Sequence, residues 1–226
     1  MLRIFPDLGH NKYFKIGLRP VPSIERFKTP GERRPYESCG IQRQSRKDGN
    51  TAILLNFVLE ELKNEGINVE LVQLAGERIT GCIACYQCAK NKDQKCVIKD
   101  DKANDYIGKM VQAEGFLLGS PTYVSDITAN MKGLIERCST VSRSNGGLFK
   151  RKVAAAIVAV RRAGSLHAYD TLNHFLLNNQ TIVPGSSYWN LGMGRDIGEV
   201  KTDEEGIRTM KTLGQNMAWL LKKIHG

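Results

Sequence analysis

Residues 81–96 read GCIACYQCAKNKDQKC, and Cys82, Cys85, Cys88 and Cys96 follow the spacing C-x2-C-x2-C-x7-C. Three thiolates at three-residue intervals can turn toward one centre as the backbone wraps it. A fourth, a few residues on, completes a tetrahedral sulfur set. Such a set suits an iron–sulfur cluster or Zn²⁺, although structural zinc more often pairs two separated C-x2-C knuckles. Free or redox-active thiols are the third reading, since a chain without a secretory signal seldom keeps stable disulfides. Lys90, Lys92 and Lys95 would offset the negative charge of four thiolates. Cys39 and Cys138 fall outside the set, and Cys138 reads as a small core residue on an apolar helix stripe.

Three further segments could hold an anionic, aromatic ligand. RKDGNT (46–51) runs into a helix whose first N–H groups and positive dipole end can receive a phosphate. Arg46, Asn50 and Thr51 could add hydrogen bonds, yet Gly-Asn-Thr is also an ordinary capping sequence. In GSPTYVSDITANMKGLIER (119–137), the turn carrying Pro121, Thr122 and Tyr123 could pass along a ring system, with Tyr123 packing on it or remaining a loop aromatic. VRRAGSLHAY (160–169) supplies another glycine-containing turn, where Arg161 and Arg162 favour an anionic ring or substrate. His167 and His174 have no paired nucleophile and read as capping or surface residues. Neither GxGxxG nor GxxxxGK[ST] occurs, which disfavours a dinucleotide site and a P-loop. No serine sits in G-x-S-x-G, which leaves a hydrolase little support.

These loops must be positioned by the elements between them. Residues 50–66 predict a helix, 67–75 a strand, and a helix of about ten residues starts near Asp101. GFLLGS (115–120) predicts a short strand and 128–142 a helix with Met131, Leu134, Ile135 and Cys138 on one face. KVAAAIVAV (152–160) is a continuous apolar run, as in a strand buried on both faces. A helix over 167–177, a short strand at TIVPG (181–185) and a long helix over 203–224 complete the pattern. Alternating strands and helices imply a doubly wound, parallel α/β sheet in one domain, with ligands beyond the carboxyl ends of its strands.

The net charge of +10 over 226 residues at first suggests a nucleic-acid partner. Residues 1–47 carry net +7 and the remaining 179 only +3, so the body of the chain is nearly balanced and no nucleic acid is expected. No run of 18 apolar residues predicts a membrane span. The first residues lack the features of a secretory signal, so the expected location is the cytoplasm.

Taken together, RKDGNT, the four-cysteine run followed by VIKDD, GSPTYVSDITANMKGLIER, VRRAG, and IVPGSSYWNLG with its trailing DEEG resemble the iron–sulfur flavoproteins of the NADPH-dependent FMN reductase superfamily. These pieces cover residues 46–224 in order. The resemblance implies a flavodoxin-like sheet of order 2-1-3-4-5 that binds FMN, with a [4Fe–4S] cluster beside it, in a homodimer or homotetramer. Arg46, Asn50 and Thr51 would hold the FMN phosphate. Pro121, Thr122, Tyr123 and Ser125 would line the isoalloxazine, with Ala163 and Gly164 on a third loop. Cys82, Cys85, Cys88 and Cys96 would ligate the cluster, which is carried in a loop over 81–97. The implied activity is electron transfer from ferredoxin or NAD(P)H to a small-molecule acceptor such as oxygen or peroxide. A cluster-free NAD(P)H-dependent FMN or quinone reductase of the same fold is the alternative.

One stretch departs from the family. Relatives open with an apolar strand running into Gly-Ser-Pro-Arg, whereas this chain reads YESCGIQRQSRKDGNT, with Gln44 and Ser45 where Ser and Pro belong. A central strand is not expected to read ESCGIQRQ. The chain is therefore divided into an irregular basic segment, 1–45, and a flavodoxin-like domain, 46–226. The expectations are a disrupted first strand and an out-of-frame origin for the first segment. Synonymous codons for Tyr36 to Ser38 and for Gln42 to Ser45 can spell Met-Lys-Val and Asn-Gly-Ser-Pro in the next frame.

Overall fold

The computed structural model describes residues 37–42 and 48–225. Its elements are β1 (Glu37–Gln42), α1 (Asn50–Asn64), β2 (Asn68–Gln73), α2 (Gln87–Asn91), α3 (Ala103–Gln112), β3 (Gly115–Pro121), α4 (Ala129–Ser144), β4 (Val153–Val160), α5 (Ser165–Asn178), β5 (Leu191–Met193) and α6 (Glu204–His225), with a short 3₁₀ turn at Glu199–Thr202. The strands form one parallel sheet in the order β2-β1-β3-β4-β5, as the resemblance implied.

Every residue of β3 and β4 is buried, and successive side chains go to opposite layers. Phe116, Leu118, Ala154, Ala156 and Val158 join Met110, Leu134, Cys138 and Phe175 from α3, α4 and α5. Leu117, Val153, Ala155 and Ile157 join Leu54, Val58, Met210, Leu213 and Met217 from α1 and α6. Two covered faces explain why these strands read as unbroken apolar runs.

Two expectations are corrected. β1 is intact: it lies at Glu37–Gln42, inside the stretch expected to be irregular, and pairs with β2 and β3 along its length. Side chains of modest size suffice there. Cys39 and Ile41 fill one layer, while a Cβ at Gly40 would already lie 3.3 Å from Leu59 on α1. Main-chain bonds on both edges supply the rest, and they need no apolar alternation.

The last strand is the second correction. Residues 181–185 contribute a single parallel bridge, Ile182 to Val153, and the paired strand lies at Leu191–Met193. Pro184 has no N–H to continue a ladder, so the chain leaves the sheet and returns beside Val158–Val160.

Candidate functional site

The four cysteines are brought together by α3 and α4. After β2 the chain crosses α4 at Gly133, where a Cβ would lie 2.9 Å from the Ile79 carbonyl oxygen. Thr80 N donates to Asp101 Oδ2 at 3.3 Å and Cys82 N to Glu136 Oε2 at 3.3 Å, which fixes the entry to the loop. Ala84, Tyr86, Lys92 and Gln94 all take left-handed backbone, with φ of 53°, 55°, 55° and 61°. Such residues cost about 1 kcal/mol or more each and cluster where a site requires them. Here they turn the chain back between successive cysteines. Asn104 on α3 clamps the far end: its Oδ1 accepts from Cys96 N at 2.8 Å, and its Nδ2 donates to the carbonyls of Cys96 and Ile98.

Cys82, Cys85, Cys88 and Cys96 consequently line one small pocket, with Arg137 and Thr140 in its wall. Cys85 is exposed, Cys82 half-buried, and Cys88 and Cys96 are buried. The Cys82 thiol reaches Thr140 Oγ1 at 3.5 Å and that of Cys88 reaches Ser144 Oγ at 3.6 Å. One tetrahedral ion bound at about 2.3 Å needs its sulfurs only about 3.8 Å apart. Among the described residues, no group of three or more His, Cys, Asp or Glu side chains is arranged to hold a single metal ion. Four thiols facing one space are the donor set that either a sulfur-bridged iron group or a tetrahedral ion would require.

The charges differ from those expected around the thiols. Lys92 turns to the Ser144 carbonyl at the end of α4, and Lys90 and Lys95 are exposed. The cation in the pocket wall is Arg137, fully buried and paired with Asp101 at 2.5 Å. Cys39 and Cys138 stand apart in the core. Burial pushes the Cys39 thiol up to about 12 and raises that of Cys138 as well, so neither forms a thiolate near neutrality.

The second part of the site is the carboxyl edge of the sheet. Pro121 ends β3 opposite Ala159 of β4, and Thr122 N donates to the Ala159 carbonyl at 2.8 Å. Thr122 Oγ1 is buried and has no hydrogen-bond partner. Tyr123 and Asp126 exchange two main-chain bonds, of 2.8 and 3.0 Å, around Val124 and Ser125, both left-handed. Gly164, at φ +83°, packs against this turn: a Cβ there would sit 2.6 Å from Ser125 Oγ and 3.0 Å from Ser125 Cα. Thr171 Oγ1, on α5, donates to Asp126 Oδ1 at 2.9 Å and braces the same turn. Tyr123, Ser125 and Ala163 are exposed along this edge, as are Arg161, Arg162 and His167. The residues predicted on the second and third loops therefore meet.

At the first loop, Arg46 lies outside the described residues. Thr51 is fully buried, facing Gly119 of β3. Asn50 Nδ2 donates to the carbonyls of Gly194 and Asp196, and its Oδ1 accepts from Gly198 N at 2.9 Å. The side chain predicted to bind a phosphate thus ties down the loop after β5. That loop, GRDIG, is a neighbour of the α1 start that the sequence reading did not foresee. Its two glycines after a three-residue strand were the only signal.

The chain matches the NADPH-dependent FMN reductase family over residues 40–196. An iron–sulfur flavoprotein of Methanocaldococcus jannaschii is 32% identical over 192 residues, covering 82% of this chain and 97% of the relative. Another, from Archaeoglobus fulgidus, is 31% identical over 184 residues, covering 78% and 93%. The chain belongs to the iron–sulfur flavoproteins of this reductase family. Solved structures agree on the fold of this flavoprotein. RosB, with a bound 8-demethyl-8-formylriboflavin-5'-phosphate intermediate, superposes with a TM-score of 0.67 at 18% identity, covering 84% of this chain and 80% of that one. A WrbA-like flavodoxin from Agrobacterium tumefaciens gives 0.60 at 12% identity, covering 83% and 98%. No helix among the described residues is long and apolar enough to cross a membrane.

Proposed function

We propose that this flavoprotein is a cytoplasmic electron-transfer oxidoreductase, a homodimer or homotetramer, that binds FMN at the carboxyl edge of the sheet and a [4Fe–4S] cluster on Cys82, Cys85, Cys88 and Cys96. Its electrons come from ferredoxin or NAD(P)H and go to a small-molecule acceptor such as oxygen or peroxide. The observation that carries this reading is the convergence of all four thiols on one pocket.

When bound, the cluster supplies one-electron transfer and FMN one- or two-electron chemistry. The start of α1, at Asn50 and Thr51, would supply main-chain N–H groups and a positive dipole end for the phosphate, with Arg46 four residues earlier in the sequence as a charged partner. Pro121, Thr122, Tyr123 and Ser125 form the ring-facing wall with Ala163 and Gly164. In that wall the buried Thr122 hydroxyl has no hydrogen-bond partner. Ile83 and Val97, both exposed, add aliphatic surface to the same pocket. Cys82 also borders an open groove that carries Lys132, Arg143 and His174 beside Glu136. Its cationic lip supports an acidic carrier such as ferredoxin as the donor.

Anaerobic purification followed by iron, acid-labile sulfide and flavin assays tests the reading. About four irons and four sulfides per FMN are expected. A yellow protein without sulfide would instead support the cluster-free NAD(P)H-dependent FMN or quinone reductase, and stoichiometric zinc would overturn both.

A further inference from the structure

The interior of α4 holds a cation at the wall of the cysteine pocket. Arg137 is fully buried, and taking a guanidinium out of water is costly unless its charge and its N–H groups are all met. Asp101, itself 5% exposed, meets the charge: its Oδ2 accepts from Arg137 Nη1 at 2.5 Å. Nη2 donates to the Ile98 carbonyl at 2.9 Å. Nε has no partner at all. A charged donor left unmade in the interior is exceptional and calls for an acceptor.

The guanidinium is planar, so fixing both Nη atoms also fixes the direction of the Nε–H. Asp101 is held in turn by Thr80 N at 3.3 Å and Ala103 N at 3.0 Å, so the fork is pinned from both arms of the cysteine loop. The pocket that Arg137 helps to line is otherwise walled by the four cysteines, aliphatic side chains, Tyr86 and Thr140. Thr140 already donates to the Glu136 carbonyl and accepts from Cys82.

We infer that Arg137 is a potential-setting residue whose free Nε–H donates to a sulfur of the cluster bound in this pocket. The inference rests on the cluster reading above and adds to it the residue that tunes the group. Adding an electron makes the sulfurs more negative, so a buried donor with a positive charge stabilises the reduced form more than the oxidised one. Arg137 accordingly raises the midpoint potential. An arginine that served only to tie Asp101 and Ile98 to α4 would leave the potential of any assembled cluster unchanged.

The test uses holoprotein purified anaerobically, assayed for iron and sulfide and titrated potentiometrically with EPR detection. Arg137→Lys keeps a cation but removes the fixed Nε–H. It is expected to retain iron and sulfide while its midpoint moves to a more negative value. In wild-type protein carrying ¹⁵N only in arginine, pulsed EPR of the reduced cluster is expected to show a coupled arginine nitrogen, which the lysine variant loses. An unchanged midpoint in an iron-replete variant overturns the inference. So does the absence of arginine coupling in wild type, which decides the matter alone if the variant fails to assemble. Wild-type protein with flavin but no iron or sulfide overturns the cluster reading itself, and the assay separates that result from the other two.

Discussion

Asn50 joins two parts of the chain that are far apart in sequence: its amide bonds to Gly194, Asp196 and Gly198, the first of them 144 residues away. Replacing it with alanine leaves two carbonyls and one N–H unmet at a buried position, a loss of about 1–3 kcal/mol. Asn50→Ala is therefore expected to lower the urea midpoint and to weaken FMN binding, because the released loop borders the start of α1. Equilibrium denaturation and a fluorescence titration with FMN measure the two effects. Asn50→Asp keeps only the bond from Gly198 and sets a carboxylate against two carbonyls, so it is expected to be worse than alanine. An asparagine at the head of a helix reads from sequence as a cap or a phosphate ligand, and those local roles are all that spacing can suggest. Arg137 was invisible in the same way. Its burial depends on Asp101, 36 residues earlier, and no periodicity in α4 announces that partner.

Gly133 shows the same limit for elements. The spacing of Met131, Leu134, Ile135 and Cys138 foretells α4, and the structure confirms it at Ala129–Ser144. What the pattern omits is that residues 79–80 cross this helix so closely that a Cβ at Gly133 meets Ile79 O at 2.9 Å and the Thr80 carbonyl at 3.2 Å. Those atoms are main chain and have little room to give. Gly133→Ala is expected to displace the approach to Cys82, lower iron incorporation while FMN content holds, and cost about 1–3 kcal/mol. Gly108→Ala on α3 is the control, because nothing lies within 4 Å of its added Cβ. There the better helix former is expected to stabilise by up to about 1 kcal/mol. Iron assay and thermal unfolding of both variants distinguish a specific clash from a general effect of alanine.

At the scale of the whole molecule, β1 joins β2 to the rest of the sheet and takes Cys39 into the core. Burial, aided by the Glu70 charge, lifts that thiol from its ordinary 9.0 to about 12. The protonated thiol thus favours the fold fully below pH 9, and the advantage is lost as pH rises from 9 through 12, at most about 4 kcal/mol. Lys152 acts in the opposite sense. Burial lowers its pKa from 10.5, so its penalty eases as pH rises toward that value. The thiol shift is the larger, and the urea midpoint is expected to fall above pH 9, with a shallower fall in Cys39→Ala. Equal slopes would mean that Cys39 is not buried and that β1 does not form as described. Sequence alone determined the alternation of strands and helices, the doubly wound class and the four-cysteine spacing, because periodicity and spacing are local properties of the chain. It misjudged β1 and the last strand, whose pairing depends on neighbours that no local pattern names. Only the tertiary structure decided those pairings, the closure of the loops on Gly133 and Gly164, and the placement of Arg137 among the thiols. Each of these depends on contacts between residues distant in sequence, where packing and hydrogen bonding outweigh local preference.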